Sequence, residues 1–235
     1  MPRPLVLVGH SFGGYCVRTY AHKFPDEVAG MVLVDSVHPA EWERITPQQR
    51  RMIRGAVLFS RIGEMLCRVG FIRLVLKRLE RGATGAPKAA ARVFGPSAEK
   101  FLGRILGEVR KLPPETLPLV RMLWCQPRSF QSMARYVGAL PASAAVVATL
   151  GGLGALPLAV LSGSHHSEPR AKEQEELARL SSNSKHLIAA ESAHWIHLDE
   201  PELVVEAVRE VVEQVRQATP KPQSASIKGM TRGSG

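Results

Sequence analysis

The pentapeptide Gly9-His10-Ser11-Phe12-Gly13 constrains this chain more than any other feature, because of what stands on either side of it. Before it, Leu5-Val-Leu-Val8 is a short apolar run, the pattern of a strand buried on both faces of a parallel sheet. After it, Cys16, Val17, Tyr20 and Ala21 recur at helical spacing until Pro25-Asp26 stops the pattern. Val28 to Val34 is a second apolar run, ending at Asp35. Strand, tight turn, helix and strand in this order make a βαβ unit, which builds parallel sheets. At such a turn, G-x-S-x-G holds the serine on a strained backbone with its hydroxyl projecting from the sheet. Gly9 and Gly13 are expected to keep neighbouring atoms from clashing there. The Phe12 N–H, at the start of the helix, then points to where an oxyanion would form. His10 is a second candidate for the oxyanion or substrate side of the site.

A serine hydroxyl needs a base before it is a useful nucleophile. Of the 8 histidines, His10 is excluded as that base, since neighbours in the turn point apart. His22 and His38 read as ordinary solvated side chains. His165-His166 has no further cluster of Cys, His or carboxylates to suggest a metal. His194 stands apart. The segment Glu191-Ser-Ala-His-Trp-Ile-His-Leu-Asp-Glu-Pro201 places it in a loop after the last strand, Ser184 to Ala189, and before the last helix, which opens at Pro201 and runs to about Gln217. His197 reads as leading into that helix.

Between these ends, Trp42 to about Gly138 is helical, basic and rich in Leu, Ile and Val, with a break at Gly82 to Pro87. Leu156 to Leu161 is a further strand, and Glu173 to Leu180 a helix. The expected organisation is a core of residues 1–40 and 141–217, an inserted helical cap at 41–140, and a disordered Pro/Ser/Gly/Lys-rich tail at 218–235. Lys and Arg total 31 against 21 Asp and Glu, a formal charge of +10. The arginines from Arg44 to Arg135 lack the Gly and aromatic interleaving of an RNA-binding segment, so no nucleic-acid partner is expected. Within the cap, apolar residues such as Leu58, Met65 and Leu76 alternate with Arg61, Arg68, Arg73 and Lys77. That amphipathic basic pattern suits a lid over a lipophilic substrate or peripheral membrane contact. No apolar run reaches the ~18 residues of a membrane span. Three scattered cysteines without a CxxC pair read as reduced thiols of a cytoplasmic protein. The pattern calls for no cofactor and no metal.

The glycine–serine turn, Leu-Val-Asp35 at the next strand end, and Ala193-His194-Trp-Ile-His-Leu-Asp-Glu-Pro201 together resemble the α/β-hydrolase superfamily over most of residues 4–217, apart from the cap. The order Ser, acid, His agrees with that resemblance. It implies a Ser–His–Asp triad of Ser11, His194 and an acid. Many members carry the acid after the strand equivalent to Leu156–Leu161, where this chain has only Glu168. Haloalkane dehalogenases and others carry it at the end of the strand after the nucleophile helix, which is Asp35 here, and Asp35 is the favoured assignment. Dehalogenases and epoxide hydrolases carry Asp at the elbow, so Ser11 implies acyl transfer on an ester, thioester, lactone or amide. A full member also has several strands before the elbow, with a loop that gives a second oxyanion donor. Only Met1-Pro-Arg-Pro4 precede the strand here. The expectation is the C-terminal part of such a sheet, without its N-terminal strands. Its open edge would leave the chain weakly active, prone to self-association, or a non-catalytic interaction protein.

Overall fold

The computed structural model describes residues 4–80, 103 and 107–218. Four parallel strands form one sheet in the order β1 (Leu5–His10), β2 (Val28–Val34), β3 (Leu158–Gly163) and β4 (Ser184–Ala189). The registers pair His10 with Val34, Val34 with Leu161, and Leu161 with Leu187. All four carboxyl ends therefore open onto one edge of the sheet. β1 pairs with β2 alone among the described residues.

Side chains of β2 and β3 alternate between two apolar layers. Met31, Leu33, Leu158 and Val160 pack with Ala21 of α1 (Gly13–Lys23) and Leu177 of a helix that follows β3. Val32, Val34, Ala159 and Leu161 pack with Ala207 and Val211 of the last helix. Burial on both faces explains why β2 reads as an unbroken apolar run rather than an alternating one. The helix bounds follow local signals. The helix after β3 runs Glu168–Ala178, five residues earlier than the apolar pattern places its start, because Ser167 takes an extended N-cap conformation and Pro169 fills the first turn. The last helix, Pro201–Ala218, begins at the expected proline.

Among the described residues the segment between β2 and β3 consists of helices joined by turns and loops, with no strand. A short helix α2 (Ala40–Glu43) leads to α3 (Pro47–Arg68), α4 (Phe71–Glu80), α5 (Leu117–Trp124) and α6 (Pro127–Ala148). A reciprocal capping box starts α3: the Gln49 N–H donates to Thr46 Oγ1 at 3.1 Å, and the Thr46 N–H to Gln49 Oε1 at 2.8 Å. α3 and α6 pack closely; a Cβ at Gly63 would lie 2.4 Å from the Phe130 ring. Residue 140, the expected end of the cap, falls inside α6. Leu140, Ala144 and Val147 of that helix join Tyr15, Val37 and Trp42 in a third cluster that seats the helices on the core. The break at 82–87 and the tail beyond Ala218 lie outside the described residues. Continuing the chain order, the helix Glu168–Ala178 is α7, a single turn Ile196–Asp199 is α8, and Pro201–Ala218 is α9. Among the described residues no helix is long and apolar enough to cross a membrane.

Candidate active site

Adjacent parallel strands deliver Ser11 and Asp35 side by side. Each follows its strand by one residue and stays tied to the next strand's ladder: the Ser11 N–H donates to the Val34 carbonyl at 3.1 Å, and the Asp35 N–H to the Leu161 carbonyl at 2.7 Å. Each then reverses the chain in the left-handed region, Ser11 with φ 53° and Asp35 with φ 40°, the two non-glycine residues with positive φ among those described. Strain of about 1–3 kcal/mol per residue is held only where surrounding contacts over-determine the backbone. They do so here. The Ser11 carbonyl accepts from the N–H groups of Gly14 and Val37, at 3.1 and 3.2 Å.

The glycine requirement differs in part from the sequence expectation. A Cβ on Gly9 would lie 2.8 Å from the Gly13 backbone, so Gly9 is needed for close approach, as expected. Gly13 faces open space. The second crowded position is Gly14, where a Cβ would fall 1.6 Å from Ser36 Oγ. Phe12 opens α1. Its N–H has no hydrogen-bond partner among the described residues, whereas its carbonyl accepts from Tyr15. That is the state of a first-turn donor free to meet an anion.

His194 comes from the loop after β4. Its Nδ1 donates to Asp35 Oδ2, since a carboxylate only accepts. Asp35 is fully buried. Burial pushes its carboxyl up, but the hydrogen bond from His194 and the charges of Arg170, His166 and His194 together outweigh burial and hold it below the usual carboxylate range. The carboxylate therefore stays ionised and holds the Nδ1–H of His194, so in the neutral ring the lone pair falls on Nε2. None of the hydrogen bonds among the described residues reaches the Ser11 hydroxyl.

The His194 loop is fastened from three sides. Glu200 accepts from the Glu191 N–H at 3.0 Å and from Ser192 Oγ at 2.6 Å. The Ser164 N–H donates to the Ser192 carbonyl at 3.2 Å. His10 donates from Nε2 to the His194 carbonyl at 2.9 Å, and its ring lies 4.7 Å from that of His194 and 4.5 Å from that of His197. The His10 side chain is thus engaged with the His194 loop. Gly163 lets the loop cross the end of β3; a Cβ there would sit 2.0 Å from the Ala193 carbonyl oxygen. Because that neighbour is backbone, Gly163→Ala should displace the loop and destabilise the fold by ~1–3 kcal/mol, read from urea unfolding. Unchanged unfolding would show that the loop is not pinned at this point.

His10 also makes the fold sensitive to pH. Burial lowers its pKa from 6.5 to about 4. The unfolded chain binds a proton below 6.5 that the folded chain refuses until about 4, so stability falls as pH drops through that window and levels off below it. The urea midpoint should decline from pH 7 to pH 4.5, and less steeply in His10→Gln. Equal slopes would assign the decline to other groups.

The other expected residues fall elsewhere. Glu168 lies at the start of α7 with an 81% exposed side chain, paired to Lys172 at 2.8 Å, and does not contact His194. His38 is not an ordinary solvated histidine: its side chain is 17% exposed and lies 3.3 Å from Glu176. Three residues around Asp35 carry no signal of a role in the sequence. His166 Nε2 lies 2.5 Å from Asp35 Oδ1, Arg170 Nη2 lies 3.5 Å from Oδ2, and Arg170 is paired in turn with Glu41. A carboxylate at the end of β2 facing the β3–α7 loop could have directed attention to the basic residues of that loop.

A family model described as alpha/beta hydrolase fold matches residues 2–58. No curated protein matches the chain in sequence. Among solved structures, a thermophilic esterase from Thermogutta terrifontis is 20% identical, with a TM-score of 0.50 over 91% of this chain and 66% of its own. The epoxide hydrolase CorEH is 15% identical, with a TM-score of 0.57 over 90% and 68%. The α/β hydrolase MGS-M2, from a Medee basin deep-sea metagenome library, is 15% identical, with a TM-score of 0.51 over 94% and 68%. The chain thus spans about two thirds of the length of each of these proteins. The parallel sheet, the family match at its first βαβ unit and these likenesses agree on the fold: the described sheet and its helices have the α/β-hydrolase fold.

Proposed function

We propose that the chain is a serine hydrolase that cleaves an ester-like bond, whether carboxylic ester, thioester, lactone or amide, in a lipophilic small molecule through an acyl-enzyme on Ser11. The observation that carries the reading is the buried Asp35 carboxylate on His194 Nδ1, one strand away from a serine at positive φ. In this reading His194 Nε2 takes the proton of the Ser11 hydroxyl as Oγ attacks the substrate carbonyl. The oxyanion meets the Phe12 N–H. The same Nε2–H then protonates the leaving alcohol, thiol or amine as the carbonyl re-forms. Water repeats the sequence to release the acid. Asp35 keeps its charge and stabilises the imidazolium formed in each half. A serine at the elbow favours acyl transfer over the ring opening or halide displacement that an elbow aspartate serves. The lipophilic substrate is supported by the cap, where Leu58, Met65, Phe71 and Leu74 are about half or more exposed. The exposed arginines beside them, Arg54 and Arg61, suit the same face to peripheral contact with an anionic membrane.

A second reading, a non-catalytic protein that pairs with another chain or a second copy of itself, has one observation behind it: the outer edge of β1 carries no strand among the described residues. Acyl trapping separates the two. Brief exposure of the folded chain to p-nitrophenyl acetate, followed by acid quench and peptide mass analysis, should place one acetyl group on the peptide containing Ser11. A folded chain that forms no adduct and releases no p-nitrophenol would favour the second reading.

A further inference from the structure

We propose that His166 is a positioning residue for the pair of Asp35 and His194, fixing the plane of the carboxylate so that Oδ2 faces His194 Nδ1. The proposal rests on the reading of Ser11, His194 and Asp35 given above. Asp35 has no exposed surface, and the His166 side chain is 10% exposed. A carboxylate only accepts, so His166 Nε2 carries the proton and donates to Oδ1 across 2.5 Å. His194 occupies Oδ2. The terminal torsion of an aspartate is broad, so staggering does not set the carboxylate plane. Two donors on different oxygens do set it. Arg170 is less suited to fixing the plane, because it approaches the same oxygen as His194, at 3.5 Å, and its guanidinium is drawn to Glu41 on α2.

The location strengthens the case. His166 stands in the turn between β3 and α7, two residues before Glu168. That loop supplies no carboxylate to His194. It supplies an N–H to the carboxylate that the neighbouring strand supplies. Without it, Oδ1 would be a buried acceptor short of its partner, at a cost of about 1–3 kcal/mol for the aligned state, and the carboxylate would turn to find another donor.

The test compares wild type, His166→Leu and His166→Gln as full chains, with two readouts. The first is turnover of a p-nitrophenyl ester across pH 5–9. In His166→Leu the plateau kcat should fall about 10- to 100-fold with KM nearly unchanged. The acid limb should move to higher pH, because a carboxylate stripped of one donor holds the His194 imidazolium more tightly. His166→Gln, which keeps an N–H at similar reach, should recover most of the rate and restore the limb. The second readout is the low-field proton NMR signal of His194 Nδ1–H, which does not depend on turnover. It should shift and broaden in His166→Leu and return in His166→Gln. If leucine prevents folding, the glutamine variant and a His166→Asn variant, too short to reach Oδ1, make the same comparison. An unmoved limb and unmoved signal in the donor-less variant, or a glutamine variant as impaired as leucine, would overturn the proposal. A signal that responds as stated in a chain that turns over no ester would uphold the positioning role and refute the hydrolase reading instead.

Discussion

Replacing His194 by alanine is expected to lower kcat/KM for an ester nearly as far as replacing Ser11, by about 10⁴- to 10⁶-fold, and the double variant should lose little more. The reason lies in how the two side chains depend on each other. A neutral hydroxyl is a poor nucleophile, and nothing else described near Ser11 combines a free lone pair with a fixed orientation. His10 sits closest in sequence, but its Nε2 is donated to the His194 carbonyl and burial lowers its pKa to about 4. His197 is also buried enough to be a weaker base than a free imidazole. Residual activity in His194→Ala should come from substrate binding and the Phe12 amide alone. A loss of less than about tenfold in His194→Ala, beside a full loss in Ser11→Ala, would place the base elsewhere.

The second large effect concerns the acid. Asp35→Asn should cost about 10²- to 10⁴-fold in kcat, whereas Glu168→Gln should stay within about twofold of wild type. The asparagine amide can present its oxygen or its NH₂ to His194, and the NH₂ orientation selects the wrong tautomer. It also removes the negative charge that balances the imidazolium, in a pocket where Asp35 is fully buried and solvent cannot compensate. Glu168, with its side chain 81% exposed and paired only to Lys172, has neither role. Steady-state kinetics on the two variants separates the assignments. An inactive Glu168→Gln beside an active Asp35→Asn would reverse them.

The sequence disclosed what is encoded locally. β2 and β4 have the bounds expected of them, β2 as an apolar run that ends at Asp35 and β4 as a short strand after Asn183. The Gly-Ser turn was legible because strand, turn and helix are contiguous. The start of α7 was harder to place: its few apolar positions begin one turn in, while Ser167 and Pro169 had already set the boundary. Gly14 rather than Gly13 as the crowded glycine depends on Ser36, a residue of the next strand's exit, and periodicity does not carry that information. The same limit hid the surroundings of Asp35. His166, Arg170 and Glu41 meet there from the β3–α7 loop, α7 and α2, and only the register of β1, β2 and β3 brings those segments to one edge. The reach of the Glu200 carboxylate back to the His194 loop likewise depends on the fold rather than on local pattern.

The central claim is that Ser11 is an activated nucleophile, and covalent labelling tests it most directly. A fluorophosphonate probe reacts with a serine whose proton is removed by a neighbouring base, and hardly with an ordinary hydroxyl. Wild-type chain, shown to be folded by circular dichroism, should take up one probe molecule on the peptide containing Ser11, and labelling should disappear in Ser11→Ala. Equal labelling of the two proteins, or a folded wild type that takes up no probe, would contradict the account.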